Sequence, residues 1–174
     1  ISYGNENLQT YFSYANTTGH GIIGKHNLSK HNLTFRETSV LLNSRLKLDG
    51  SMNLMRQVVK NKPTVGGFYM NPLVGLYRFP RGEDISYYKE NFEVYDEGRN
   101  LNIQNWHTSY EDFEQNPYWI TNRILSKENR MHVIVSLSAN LKINDWLSLQ
   151  ARGNVDYIND KVRQQFYAST APAL

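Results

Sequence analysis

Two groups of side chains in this sequence have the residue types needed for catalysis or metal binding. The first is a set of carboxylates between residues 84 and 114: Asp84, Glu90, Glu93, Asp96, Glu97, Glu111, Asp112 and Glu114. Paired carboxylates perform glycoside hydrolysis, so this enrichment is compatible with a glycosidase. No regular strand or helix pattern surrounds these residues to hold two of them at a fixed distance. We therefore interpret the set as a solvated acidic loop and expect no catalytic residue.

The second group is formed by three histidines close together in sequence, His20, His26 and His31. Imidazole is a frequent metal ligand, so a metal site is one interpretation. However, the spacing is irregular, and the chain has no Cys to supply a thiolate ligand or a disulfide. We interpret these residues as ordinary loop histidines and expect neither a metal ion nor another cofactor.

The composition excludes several classes of protein. The chain has 174 residues, 40% of them hydrophobic, and no apolar run long enough for a membrane-spanning helix. Its net charge is only +3 and its basic residues are dispersed, so we expect no nucleic acid partner. Aromatic residues make up 13% of the chain. Such residues are typical of membrane interfaces and of loops that contact sugars or peptides.

The clearest structural element is a long hairpin over residues 131–158. Its first strand has apolar residues at every odd position: Met131, Val133, Val135, Leu137, Ala139, Leu141 and Ile143. After a turn at residues 144–146 the alternation resumes with Leu147, Leu149, Ala151, Gly153, Val155 and Tyr157. Period-two alternation predicts strands, and a three-residue turn would pair Ile143 with Leu147 on one shared face.

The length of this hairpin predicts its environment. A strand of this length, tilted in a sheet, rises about 30 Å, which matches the hydrocarbon thickness of a bilayer. The apolar face has no charge, whereas Lys142, Arg152 and Asp156 lie on the other face. This partition is typical of a transmembrane β-barrel, with lipid outside and water or a plug inside. A soluble β-sandwich, with the apolar face as its core, is the alternative.

The remainder of the chain predicts further strands and an alternation of short and long connections. Strands are expected at residues 8–16, 32–42 and 46–56, after the stub of a strand at residues 1–3, and a change of phase predicts a bulge near Glu37. Short turns are predicted at residues 4–7, 43–45 and 144–146. Long connections are predicted at residues 17–30, 57–129 and beyond 159. Outer-membrane barrels have short periplasmic turns and long extracellular loops, so this pattern favours an all-β fragment of such a barrel.

Several stretches, in this order, carry a resemblance to a known family: residues 11–17, 21–23, 31–36, 71–72, 76–80, 115–119 and 145–150. Together they resemble an interior part of the barrel in the SusC/RagA family of TonB-dependent outer-membrane transporters of Bacteroidetes. The resemblance implies an antiparallel barrel of about 22 strands. An N-terminal plug would fill the barrel, and a SusD-like surface lipoprotein would cover it as a lid. About five full strands cannot close such a barrel, so we expect the plug and the other strands to lie outside this chain.

The resemblance also implies a function and a location. It implies import of glycans or oligopeptides across the bacterial outer membrane, driven through the TonB complex, which would engage the missing plug. The expected partners are therefore the lipoprotein, TonB, outer-membrane lipid and the glycan or peptide substrate, and the chain is not expected to be an enzyme. A siderophore or vitamin receptor without a lid is the nearest alternative. A secreted β-sandwich that binds carbohydrate is the alternative from another class.

Two sets of aromatic residues are candidates for contacts. In the long loop, Asn116-Pro117-Tyr118-Trp119 is the most distinctive motif, and we expect it either to contact the lid or substrate or to pack the loop on itself. Tyr11, Tyr14, Trp146 and Tyr157 are predicted membrane-interface anchors. Lys142, Arg152 and Asp156 would face the barrel interior.

Overall fold

The computed structural model describes residues 1–66, 69–108 and 114–170, and its fold is mainly antiparallel β-sheet. The strands are β1 Ser2–Gly4, β2 Leu8–His20, β3 Asn27–Leu41, β4 Leu46–Lys60, β5 Glu93–Asp96, β6 Leu101–Gln104, β7 Ile124–Lys142 and β8 Ser148–Phe166. The helices are α1 Pro72–Arg78, α2 Ile85–Glu90 and α3 Pro117–Arg123. Six strands form one sheet in the order β1-β2-β3-β4-β7-β8, and β5 and β6 form a separate pair. The all-β prediction is confirmed at this level; the described sheet is open.

One neighbouring pair of the sheet, β4 and β7, joins strands that are distant in sequence. At one end the Lys142 N–H donates to the Arg45 carbonyl at 2.7 Å, and at the other the Asn61 N–H donates to the Ser126 carbonyl at 2.8 Å. Between these two bonds both strands have the same number of residues. The pair therefore keeps one register along its whole length, with no net insertion.

The turn between β3 and β4 differs from the prediction. It has four residues, because β3 ends at Leu41 and Leu42 already lies in the turn with a positive φ of 53°. Asn43 and Ser44 also have positive φ angles, of 53° and 68°. The extra turn residue shifts the phase by one, so Leu41 rather than Leu42 continues the apolar face.

The expected bulge near Glu37 is wrong for the same reason. Asn53 Nδ2 donates to Thr34 Oγ1 at 2.9 Å, and Thr38 Oγ1 donates to Asp49 Oδ1 at 2.7 Å. These two bonds are equally spaced on β3 and β4, so β3 passes Glu37 without an inserted residue. With a turn of four residues instead of three, the apolar residues of β3 and β4 share a face without a bulge.

The strands are also longer than predicted. β2 and β3 extend to His20 and from Asn27, so the expected loop at residues 17–30 shrinks to residues 21–26. The strand ends in this region carry polar residues on both faces, which removes the alternation on which the prediction depended. The contrast between short and long connections therefore depends mainly on the segment between β4 and β7.

The segment between β4 and β7 contains short helices and strands where the sequence predicted only a long connection. Asn71 and Asn116 cap α1 and α3: their side-chain oxygens accept the N–H of Leu73 at 3.0 Å and of Tyr118 at 2.8 Å. In both helices a proline follows the cap, where its fixed φ suits the first turn and its missing N–H costs nothing. None of the helices in the described part of the chain has the length and apolar character needed to cross a membrane.

The chain divides into two compact units with different interiors. The first unit, Ile1–Gly19, Leu28–Val58 and Glu128–Lys161, is sheet, and none of its residues is buried. The second, His20–Asn27, Val59–Lys127 and Val162–Leu174, contains every buried residue of the described structure. Its buried residues are Pro72, Gly75, Trp106, Pro117, Trp119 and Ile120 and the polar Asn71, Gln104, Glu114, Gln115 and Asn116.

Candidate functional site

The sheet unit has an apolar face that nothing in its described residues covers. The apolar sets of β4 and β7 share this face, because a Cβ built on Gly50 would lie 3.3 Å from Leu137 Cδ2. On β8 the Leu149 side chain lies on the same face as Leu141, since the Ile143 N–H bonds to the Leu147 carbonyl at 3.0 Å as predicted. Leu137 is 63% exposed and Leu149 is 60% exposed. Apolar side chains are therefore arranged in adjoining rows, and no described residue of the sheet unit covers them.

The opposite face of the sheet is polar and carries ion pairs. Asp49 accepts a hydrogen bond from Thr38 and has Arg36 Nη2 at 3.5 Å and Lys47 Nζ at 3.8 Å. These side chains line a groove of about 900 Å³. Exposed ion pairs contribute at most about 1 kcal/mol each to stability, so this face is organised for contact with water or polar groups.

Further along the polar face, β7 and β8 are joined by two more pairs. Arg130 donates two hydrogen bonds to Asp160, both at 2.7 Å, and His132 Nε2 lies 2.6 Å from Asp156 Oδ1. Lys142 Nζ, at the turn, is 2.7 Å from Asp145 Oδ1. By strand alternation Lys142, Arg152 and Asp156 lie on this face of the sheet, and that the face points into a barrel stays a prediction.

The four predicted interface anchors divide between the two faces. Tyr11 lines the polar groove, is 45% exposed and stays a predicted anchor. Tyr14 lies on the apolar face, with its hydroxyl 2.7 Å from His31 Nδ1. Tyr157 and Trp146 are 52% and 82% exposed, so both remain predicted anchors.

Each of the three histidines has its own contacts. His20 Nδ1 is 2.6 Å from Asn27 Oδ1, and the His26 ring lies so close to Gly21 that a Cβ there would be 2.2 Å from its Nδ1. His31 stacks on the Tyr14 ring with 6.1 Å between centroids. Among the described residues there is no group of three or more histidines and carboxylates that could hold a metal ion.

Asn116 is the centre of the second unit. Its side chain is fully buried, at 0% exposure. The Nδ2 group donates to the carbonyls of Tyr88 at 2.9 Å and Asn105 at 2.7 Å, and Oδ1 caps α3. The main-chain N–H donates to Gln104 Oε1 at 3.2 Å. One side chain therefore ties α3 to α2 and to the residue that follows β6.

Glu114 is a buried carboxylate with three partners. It accepts from Trp106 Nε1 at 3.0 Å, lies 2.9 Å from His107 Nε2 and has Arg78 Nε at 3.4 Å. Phe79 covers the Trp106 ring with 5.2 Å between centroids. A carboxylate in such a site must be paired to offset its desolvation, so its role here is to hold three segments together.

This geometry changes the interpretation of the acidic loop. Glu114 is 3% exposed and is therefore not part of a solvated acidic surface. Glu93 is also engaged, accepting two hydrogen bonds from Arg123 at 2.7 and 2.6 Å, which raise the pKa of that guanidinium. Glu111 and Asp112 lie outside the described residues. Glu114 and Glu93 therefore hold segments of the second unit together and are not part of a solvated acidic loop.

Trp119 closes the other side of the second unit. Its side chain is fully buried, its Nε1 donates to Thr170 Oγ1 at 3.2 Å, and its ring meets Tyr167 edge-on with 5.9 Å between centroids. The Arg123 guanidinium lies 4.6 Å from the centre of the Tyr167 ring. α3 is thereby fixed to the residues that follow β8.

The predicted contact motif is therefore mostly interior. Asn116, Pro117 and Trp119 are buried and present no surface to a lid or substrate. These three residues therefore pack the loop on itself, which is the second of the two expected roles. Tyr118 is half-buried, and a contact there stays a prediction. The Asn-Pro pair gave a usable signal for this role, since it is the sequence of a helix N-terminus.

The exposed surface that sequence reasoning missed is on α1. Leu73, Leu76 and Tyr77 are 39%, 41% and 86% exposed. Their spacing of three and four residues places them on one side of the helix. The opposite side is packed, because a Cβ on Gly75 would lie 2.5 Å from the Gln115 carbonyl oxygen. Helical spacing after the Asn71-Pro72 start was the available signal.

A scan of protein-family models and a search of curated proteins both find no match to this chain.

Proposed function

We propose that this chain is part of the wall and outer loops of a TonB-dependent outer-membrane importer of the SusC/RagA type. In this proposal the main sheet is a sector of a closed transmembrane barrel. Its strands support this, because β2 has 13 residues, β3 and β4 have 15, and β7 and β8 have 19. Strands of soluble proteins usually have about five or six residues.

The observation that carries the proposal is the uncovered apolar face. On β4 the apolar stretch from Leu46 to Leu54 measures about 27 Å along the strand, or roughly 20 Å at the tilt of a membrane barrel. With the reach of the terminal side chains this approaches the apolar band of such barrels, about 25 Å tall. Lipid would cover Leu137 and Leu149, which are both more than half exposed.

The same observation counts against the β-sandwich. A sandwich buries its inner face against a second sheet, whereas no described residue of the sheet unit is buried. The polar face cannot serve as that core, because Asp49, Asp156 and Asp160 lie on it with their cationic partners. We therefore rank the membrane barrel first.

In the proposed mechanism the two faces have different tasks. The apolar face holds the wall in lipid, and the polar face lines the path of glycans or oligopeptides beside a plug that this chain does not include. The second unit would form part of the outer loops. Its internal bonds through Asn116 and Glu114 would keep it in one shape, and the exposed side of α1 would receive the SusD-like lipoprotein. A lidless siderophore or vitamin receptor would use the same wall.

The experiment is purification of the full-length protein from detergent-solubilised outer membranes. Intact-mass spectrometry and identification of co-purifying proteins would follow. A long chain bound to a surface lipoprotein supports the lidded importer, and a long chain without one supports the lidless receptor. A complete, detergent-free soluble protein of 20.3 kDa would overturn the proposal.

A further inference from the structure

Three cations lie together at the ends of adjacent strands. Lys60 is the last residue of β4, Lys127 is near the start of β7, and Arg163 is near the end of β8. With Leu125 and Gln165 they line a surface pocket of about 260 Å³, and no carboxylate lines it. Among the residues that the structure describes, none of the three takes part in an ion pair.

Their place on the strands follows from the register. The bond between Asn61 and Ser126 sets Lys60 opposite Lys127 on β7. An even number of positions separates Lys60 from Leu54, so both lie on the same side of β4. The three cations therefore continue the apolar face toward the end of the strands, where hydrophobic side chains give way to charge.

This order of groups fits an amphiphile. Three adjacent positive charges with no carboxylate in the lining of their pocket repel one another, and an anion placed among them would relieve that repulsion. Phosphate oxygens accept hydrogen bonds from both ammonium and guanidinium groups. Next to the pocket, the same strands offer apolar side chains to hydrocarbon. A ligand with an anionic head and acyl chains satisfies both parts.

We propose that Lys60, Lys127 and Arg163 bind the phosphate of a membrane-lipid head group. This inference rests on the proposed function, because it requires the apolar face to lie in lipid. The bound lipid would mark the level at which the strands leave the hydrocarbon. Basic residues beside an anionic membrane surface each raise affinity by about fivefold, so three together give roughly a hundredfold.

The test uses the full-length protein in detergent with three probes: monophosphorylated lipid A, the same glycolipid without its phosphate, and inorganic phosphate. The variant is Lys60→Gln/Lys127→Gln/Arg163→Gln. The matched control, Lys30→Gln/Lys142→Gln/Arg152→Gln, removes the same charges from the polar face. A third variant, Lys60→Arg/Lys127→Arg/Arg163→Lys, keeps the charge and guards against a folding defect.

The expected result is binding of the phosphorylated lipid that falls roughly a hundredfold in the first variant. Binding should stay within about threefold of wild type in the control and in the charge-conserving variant. Equal binding of the lipid without phosphate, equal loss in the control, or competition by inorganic phosphate at a similar concentration would each overturn the inference. If the protein fractionates with the outer membrane and these losses are absent, the result contradicts the lipid site but not the proposed function. A soluble protein would contradict the proposed function itself.

Discussion

Gly50 on β4 lies directly against Leu137 on β7, so that a Cβ added to Gly50 would be 3.3 Å from Leu137 Cδ2. This contact fixes which sides of the two strands coincide. It unites two apolar series that are separated in sequence by the whole segment between β4 and β7.

Leu137→Arg places a charge near the middle of the apolar face. In a bilayer it should destabilise the folded protein by about 2–4 kcal/mol, because the guanidinium cannot reach water. Ser138→Arg is the matched control, since its side chain points to the polar face. The measurements are the level of folded protein in the outer membrane and urea unfolding in lipid vesicles. Equal losses for both variants would contradict a lipid-facing Leu137.

Asn116→Ala removes a helix cap and leaves the carbonyls of Tyr88 and Asn105 without their donor. We expect a loss of about 3–5 kcal/mol in the stability of the second unit, because buried unpaired groups cost about 1–3 kcal/mol each. Asp84→Ala, which removes the exposed cap of α2, should cost only about 1 kcal/mol. Hydrogen exchange of α3 measures the difference. Similar protection in both variants would show that Asn116 is not the centre of the unit.

Glu114→Gln keeps the shape of the side chain but removes its charge. Loss of a charge-assisted hydrogen bond costs about 1.5–3 kcal/mol, so the contacts with His107 and Arg78 should weaken by that order. Trp106 fluorescence should change, because its Nε1 bonds to this carboxylate. Glu97→Gln, at an exposed carboxylate, is the control. An unchanged fluorescence spectrum and melting curve for Glu114→Gln would show that the charge of Glu114 does not stabilise the second unit.

Tyr77→Ala tests the exposed side of α1. Because the side chain is 86% exposed, stability should change by no more than about 0.5 kcal/mol. If α1 receives the lipoprotein, co-purification should fall at least about tenfold, as for an aromatic residue central to an interface. Tyr95→Ala, an exposed tyrosine on β5, is the control. Unchanged recovery of the lipoprotein would place the docking surface elsewhere.

Tyr88 gives the second unit a pH dependence in the alkaline range. Burial and the hydrogen bond to Glu83 raise the pKa of Tyr88 above its ordinary value of 10.0. The folded state thus favours the neutral phenol. The contribution of Tyr88 to the stability of the second unit is therefore complete below pH 10.0 and is lost as the pH rises through the raised pKa. The stability advantage of wild type over Tyr88→Phe should therefore shrink in that range. Melting curves of both proteins, compared at neutral and alkaline pH, measure it, and parallel profiles would contradict it.

The sequence predicted the middle of each strand well and the strand ends poorly. Within the apolar band, alternation is imposed by the difference between the two faces, and residues such as Leu46 and Leu137 report it. Beyond the band both faces are polar, as at Lys60 and Lys127, so no contrast remains to detect. The turn at Leu42 was missed because an apolar residue with positive φ gives no composition signal.

The second unit was the least predictable part. Its interior depends on polar side chains, and Asn116 and Gln115 look like surface residues in a sequence. Only their partners, distant along the chain, make burial favourable. The Asn71-Pro72 and Asn116-Pro117 pairs did contain local information, because an Asn cap followed by Pro is a helix start. Residues 57–129 were predicted as one long connection, so its three short helices are not part of the prediction.

The bond pattern at Asn61 and Ser126 has an evolutionary consequence. The Asn61 N–H donates to the Ser126 carbonyl, and Asn61 Oδ1 accepts the Ser126 N–H at 3.1 Å. The segment between β4 and β7 therefore leaves the sheet and returns to it at residues that are bonded to each other. Closing a longer segment between these strands costs little more conformational entropy, since the cost grows only with the logarithm of the segment's length. The segment can therefore be replaced as a whole while β4 and β7 keep their register. Under the proposed function, ligand preference could therefore diverge while the barrel wall keeps its structure.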